Sequence, residues 1–145
     1  MRRPAAIRPE EFFRGIVSSC LFACRGIVFA LRTQRNLRIH LVCAAVVLGG
    51  GFYFQFSPLE WVLLVLTVSL VIAGELINTS LEYLLNLLEA RNHPVARAVK
   101  DIAAGAVLVA VLGSIVVAII LFGPRLARIL PSMGLASFPP TGSSL

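Results

Sequence analysis

The stretch Gly74-Glu75-Leu76-Ile77-Asn78-Thr79-Ser80-Leu81-Glu82 sets two carboxylates and an amide into an otherwise apolar run. Wound as a helix, Glu75, Asn78, Glu82, Asn86 and Glu89 share about 80° of arc and form one polar stripe. Arg97, Lys100 and Asp101 stand at the start of the next apolar run. Carboxylates on one helix facing cations on its neighbour suit phosphoryl transfer. The acids hold a divalent metal, the cations neutralise phosphate oxygens, and one carboxylate can take the proton of an attacking hydroxyl. A seam that merely helped helices to pack would carry basic partners on its own helix, and this one has none. The Gly49-Gly50-Gly51 run is not a phosphate loop, because no Gly-Lys-Ser/Thr follows it, and no protein-kinase signature is present.

The medium that must hold these groups is a membrane. Of 145 residues, 58% are hydrophobic and 14% charged, and the mean hydropathy is +0.90. Soluble domains average about a quarter charged. This composition excludes a disordered chain, a collagen-like chain and a soluble dinucleotide-fold enzyme, and the length allows one domain. The net charge of +6 is unevenly placed, with eight of the thirteen Lys and Arg before His40 and the others flanking later apolar runs. Basic clusters beside apolar spans are topology signals and contacts for anionic headgroups. Without basic and aromatic residues interleaved, nucleic acid is not expected as a partner.

The pattern predicts an all-α membrane protein. Residues 1–9 read as a basic tail, and residues 10–35 as an amphipathic helix lying in the membrane interface. There Arg14, Ser18, Arg25 and Arg32 fall within about 40° of one another, opposite Phe12, Ile16, Cys20, Ala23, Ile27 and Ala30. Arg2 and Arg3 are not followed by an apolar stretch and a cleavage site, which argues against a removed signal peptide. Three spans follow, at about 37–56, 59–90 and 95–123, with Pro94 placed as a first-turn residue. Residues 124–145, rich in Pro, Ser and Gly, read as a flexible tail. The first and last loops carry the cations and the link between spans one and two carries none, so the N-terminus is expected in the cytoplasm.

Counted from Leu59, Glu75 lies about 24 Å along the helix, close to the inner edge of a ~30 Å hydrocarbon core. Glu82 then sits near the headgroups. A charge within a span costs roughly 2.5–3.5 kcal/mol at the centre and less near the edge, which marks Glu75 as a functional candidate. His40, at the start of the first span, reads as an interfacial polar residue. Cys20, Cys24 and Cys43 read as small apolar fillers, and Glu60, Asn86 and Glu89 as solvated or capping. In the third span Ala106, Ala110, Ser114 and Ala118 make a ridge of small residues that lets helices approach closely. So thin a bundle predicts a homo-oligomer.

Glu75-x-x-Asn78-x-x-x-Glu82, the following Lys100-Asp101 and the upstream Arg35-Asn36-x-Arg38-Ile39-His40 together resemble the small prokaryotic diacylglycerol kinase/undecaprenol kinase family. The resemblance covers roughly Phe12 to Phe122. It implies a homotrimer of surface helix and three spans in the bacterial cytoplasmic membrane, with active sites at the cytoplasmic face shared between subunits. It further implies a lipid kinase that moves the γ-phosphoryl group of ATP to a lipid alcohol, undecaprenol or diacylglycerol. Glu75 would be the general base, Asn78 would order the site, and Glu82 would bind Mg²⁺. Lys100, Asp101 and His93 would contact ATP, and Arg14 and Arg25 could join them beside their attraction to headgroups. Gln34 stands where the family often carries a metal-binding Glu. Its amide oxygen can still ligate Mg²⁺ but brings no charge, which leaves a catalytically impaired scaffold or regulator as the second reading. A channel is disfavoured, because the first and third spans lack polar linings.

Overall fold

The structure, a computed structural model, describes residues 9–88 and 93–129, with side chains from residue 15 onward. The described residues form four helices, α1 (Pro9–Thr33), α2 (Arg35–Tyr53), α3 (Pro58–Leu87) and α4 (Pro94–Ile129), and no strand. All four are long and apolar enough to cross a membrane. α1 shares that length but is the most two-faced of them, as its arginine stripe predicts.

The breaks between helices follow from local chemistry. Between α1 and α2, Gln34 takes an extended backbone with φ −105° and ψ 115°, and its side chain makes no cap. Between α2 and α3, Gln55 has a left-handed φ of 50°. Ser57 then starts α3 with a reciprocal cap. The Ser57 backbone N–H donates to Glu60 Oε2 at 2.8 Å, and the Glu60 N–H donates to Ser57 Oγ at 3.4 Å. Pro58 follows at the first helical position, where its missing N–H costs nothing. α4 opens on Pro94 for the same reason.

The expected limit at residue 123 is corrected. α4 does not give way to a tail at Pro124 but runs on to Ile129. Pro124 removes one helical hydrogen bond, yet Arg125 supports the extra turn. Its Nη1 donates to the Leu121 carbonyl at 2.7 Å and its Nη2 to Glu60 Oε2 at 2.9 Å, while the guanidinium lies 4.6 Å from the centre of the Phe56 ring. Glu60 thus caps α3 and also anchors α4. The expected tails at 1–8 and 130–145 lie outside the described residues, as do Glu89 and Arg91.

α3 and α4 pack as an antiparallel pair, α2 lies against α3, and α1 touches α2 and α3. The main cluster sits at the α2–α3 turn, where Phe56, Leu64 and Leu121 are buried with Phe54, Trp61 and Phe122 around them. Glycine lets α2 come close here. A Cβ on Gly51 would lie 3.0 Å from Trp61 and 3.3 Å from Phe56, whereas one on Gly49 would meet open space. Gly51→Val is therefore expected to destabilise the protein by about 1–3 kcal/mol through overpacking. Gly49→Val should change stability far less, and thermal unfolding in detergent compares the two.

Elsewhere burial is sparse and rests on small residues such as Ala30, Ala44, Ala96 and Ala103. Phe22, Val46, Leu66, Val109, Ile119 and many other large apolar side chains are exposed. Surfaces of this kind fit lipid or another copy of the chain rather than water.

Candidate active site

α3 carries the acids because its apolar spacing turns one face toward α2 and α4. Glu75, in the middle of that helix, is buried, with only 5% of its side chain exposed. An isolated carboxylate at such a place is costly unless it is partnered. Its partner comes from α2, where His40 Nε2 lies 3.2 Å from Glu75 Oε1. His40 is 22% exposed, so the reading of it as an interfacial polar residue is incomplete: it reaches inward to the buried acid. The Arg-Asn-x-Arg-Ile-His run that placed His40 in a motif was the available signal.

His40 also borders a cavity of about 340 Å³ between α2, α3 and α4, whose walls include Ala44, Val68, Val71 and Ile115. Two hydroxyls line it, but each is turned back to its own helix. Thr67 donates to the Leu63 carbonyl at 2.6 Å and Ser114 to the Val111 carbonyl at 2.7 Å. The cavity therefore presents apolar surface with an imidazole at its margin.

Two turns beyond Glu75, Lys100 of α4 meets Glu82 and Asn86 of α3. Lys100 Nζ stands 3.9 Å from Glu82 Oε1 and donates to Asn86 Oδ1 at 3.4 Å. Of the α3 acids expected to meet the α4 lysine, Glu82 does so within one chain, whereas Glu75 pairs with His40 instead. Both charged groups are more than a third exposed, and ion pairs of this kind add less than about 1 kcal/mol to stability. Lys100 is therefore not a structural staple and can be shared with an incoming phosphate.

The remaining candidates divide. The Phe29 ring of α1 and the Tyr83 ring of α3 have centroids 5.2 Å apart, which brings the last turns of α1 against the part of α3 that bears Glu82. Gln34 lies at the end of that helix, half-buried. Asn78 borders a different groove between α3 and α4, beside Gly74 and Ala103, and makes no side-chain bond to Glu75 or Lys100 among the described residues. Asp101 is exposed one residue beyond Lys100. His93 accepts the Val95 N–H on Nδ1 at 3.3 Å and so helps to start α4. Arg25 lies 5.9 Å from the centre of the Phe22 ring on its own helix, and the side chain of Arg14 lies outside the described ones.

No group of three or more His, Cys, Asp or Glu that could hold a metal occurs among the described residues. Glu82 and Asn86, both next to Lys100, are oxygen donors with a single carboxylate. That set fits a hard ion such as Mg²⁺, which is commonly held by one or two carboxylates plus water and substrate phosphates.

Comparison with known proteins gives the same direction. Residues 21–122 match the family model described as prokaryotic diacylglycerol kinase. The chain is 37% identical over 117 residues to an undecaprenol kinase of Bacillus subtilis, across 81% of this chain and 92% of that protein. It is also 34% identical over 130 residues to a diacylglycerol kinase of Synechocystis, across 89% of this chain and 74% of that one. Relatives so close over so much of their length share more than an architecture, and the chain belongs to the prokaryotic diacylglycerol kinase family, a family of lipid kinases.

Proposed function

We propose that this chain transfers the γ-phosphoryl group of ATP to the hydroxyl of a membrane lipid alcohol, undecaprenol or diacylglycerol, at the cytoplasmic face of the bacterial inner membrane. The observation that carries this is the layering of α3: a buried acid, Glu75, beside apolar space, and two turns away an exposed acid, Glu82, shared with Lys100. The lipid hydroxyl belongs at the first level and the nucleotide phosphates at the second.

Glu75 accepts the proton of the hydroxyl as its oxygen attacks the γ-phosphorus. The bond from that phosphorus to the β-bridging oxygen breaks, and ADP leaves. Lys100 stabilises the charge that develops on the phosphate oxygens. Glu82 would hold Mg²⁺, with the Gln34 amide oxygen as a candidate further donor, and the ion would supply charge neutralisation to the phosphates when bound. Asn78 orders the site, and Asp101, His93, Arg14 and Arg25 are the remaining candidates for ATP.

The arginines before His40 support a cytoplasmic N-terminus, with α1 lying in the interface. The sparse interior and the small-residue ridge of α4 support a homotrimer, whose partner chains would complete the surroundings of Asn78. The working unit is the four-helix body, Pro9–Ile129. Identity to an undecaprenol kinase, together with the Arg-Asn-x-Arg-Ile-His run, tilts the acceptor toward the polyprenol.

Purified protein incubated with labelled ATP, Mg²⁺ and each alcohol in turn tests this reading. Label is expected in a lipid, and in undecaprenol more than in diacylglycerol. Label in neither would sink the kinase reading. One observation favours a second reading, an impaired scaffold: the uncharged Gln34 at the end of α1. A scaffold would show no Mg²⁺-dependent ATP binding, which titration in detergent measures.

A further inference from the structure

The pairing of His40 with Glu75 points beyond the assignment of Glu75 as the base, and it rests on that assignment. We propose that His40 is a positioning residue for the phosphoryl transfer. Its Nε2–H donates to Glu75 Oε1 and so holds the carboxylate with its other oxygen free to meet the acceptor hydroxyl.

Three features of the site carry this. The pair spans two helices, α2 and α3, with 3.2 Å between Nε2 and Oε1, close enough for a hydrogen bond that would fix a side chain its own helix leaves free to rotate. Among the described residues no other side chain bonds Glu75. The hydroxyls nearest in kind, Thr67 and Ser114, are already given to backbone carbonyls, and Cys43 on the cavity wall is only a weak donor. Finally, His40 lies where the apolar cavity meets the buried acid, the place an alcohol must reach with its tail in the hydrocarbon.

A carboxylate has two oxygens and roughly four acceptor positions. Occupying one oxygen leaves the other with a single preferred direction, and a base misaimed by about 1 Å loses on the order of 100-fold in rate. The proton from the hydroxyl goes to Glu75, while His40 gives a hydrogen bond throughout and exchanges no proton. The donated hydrogen requires the ring tautomer with Nε2 protonated, which the neutral imidazole supplies.

Leucine and glutamine at position 40 separate positioning from mere packing. His40→Leu keeps bulk without a donor. His40→Gln presents an amide N–H₂ at nearly the reach of Nε2. Both are measured beside Glu75→Gln for lipid phosphorylation and for thermal midpoint. His40→Leu is expected to lower kcat by about 10- to 100-fold, with KM for Mg-ATP within about twofold of wild type. His40→Gln should recover most of that kcat. The proposal is overturned by wild-type kcat in His40→Leu. It is equally overturned if Leu and Gln are impaired alike, whether as folded proteins or with a common drop in midpoint, since a donor would then make no difference. Turnover retained in Glu75→Gln would instead remove the base itself. An inactive Glu75→Gln beside an unchanged His40→Leu removes the positioning role alone.

Discussion

Glu75→Gln is expected to reduce lipid phosphorylation by at least about 10²–10⁴-fold, the range that a well-placed general base contributes. Glutamine has nearly the same shape, so the packing of α3 against α2 should persist. Its amide oxygen can still accept from His40 at the position now held by Oε1. What it cannot do is take a proton from the acceptor hydroxyl. Equilibrium binding of Mg-ATP and the size of the assembly in detergent should match wild type while turnover vanishes. Turnover that survived the exchange would show that the hydroxyl needs no help from this carboxylate, and the layering of α3 would need another explanation.

The second large effect is expected at Glu82. Glu82→Ala removes the charged oxygen donor beside Lys100 and leaves that lysine with Asn86 alone. Because the pair is well exposed, thermal stability should move by less than about 1 kcal/mol. Phosphoryl transfer should nevertheless fall by about 10²–10³-fold, as when a preorganised electrostatic group is lost. The residual rate should need far more Mg²⁺ for half-saturation. A titration of rate against free Mg²⁺ checks this, and chelation of divalent ions should silence the wild-type protein in the same assay. A variant with unaltered Mg²⁺ dependence would remove Glu82 as the metal ligand.

How much of this was legible beforehand differs from element to element. The helices were, because apolar runs, the Ser57-Pro58 turn and Pro94 are local signals read at one position. The meeting of Lys100 with Glu82 was also within reach. An apolar run that ends near 88 and another that starts at 94 must lie side by side, which leaves little freedom in the register of the residues near the link. The last turn of α4 was not legible, since Pro124 is a local stop signal. It is overruled by Arg125 reaching Glu60, a residue 65 positions away in the chain. The approach of His40 to Glu75 escaped for a similar reason. The register of α2 on α3 is set by how closely Gly51 lets the helix approach Trp61 and by the path through Gln55, and neither shows in the periodicity of either helix. His93, expected as a nucleotide contact, also receives the Val95 N–H at the start of α4, a role that the sequence reading did not assign to it. Asn78, on the same stripe of α3 as the acids, borders the groove beside Gly74 and Ala103 instead, a placement that helical spacing alone does not give.

The uneven filling of the bundle has a mechanical consequence. Ring stacked on ring, together with a guanidinium clasped between Glu60 and Phe56, welds the helices where α2 turns into α3. At the other extremity the buried apolar side chains are mostly small, Ala30, Leu37, Ala96 and Ala103, with the Phe29–Tyr83 ring pair beside them, and methyl groups attract one another far less than aromatic faces do. The aromatic end is thus the firmly packed one, whereas Glu82 and Lys100 sit at the opposite end, where a short link holds α3 and α4 side by side. Separating α1 from its neighbours at that end costs less than opening the aromatic cluster, so local opening on heating is expected to begin there.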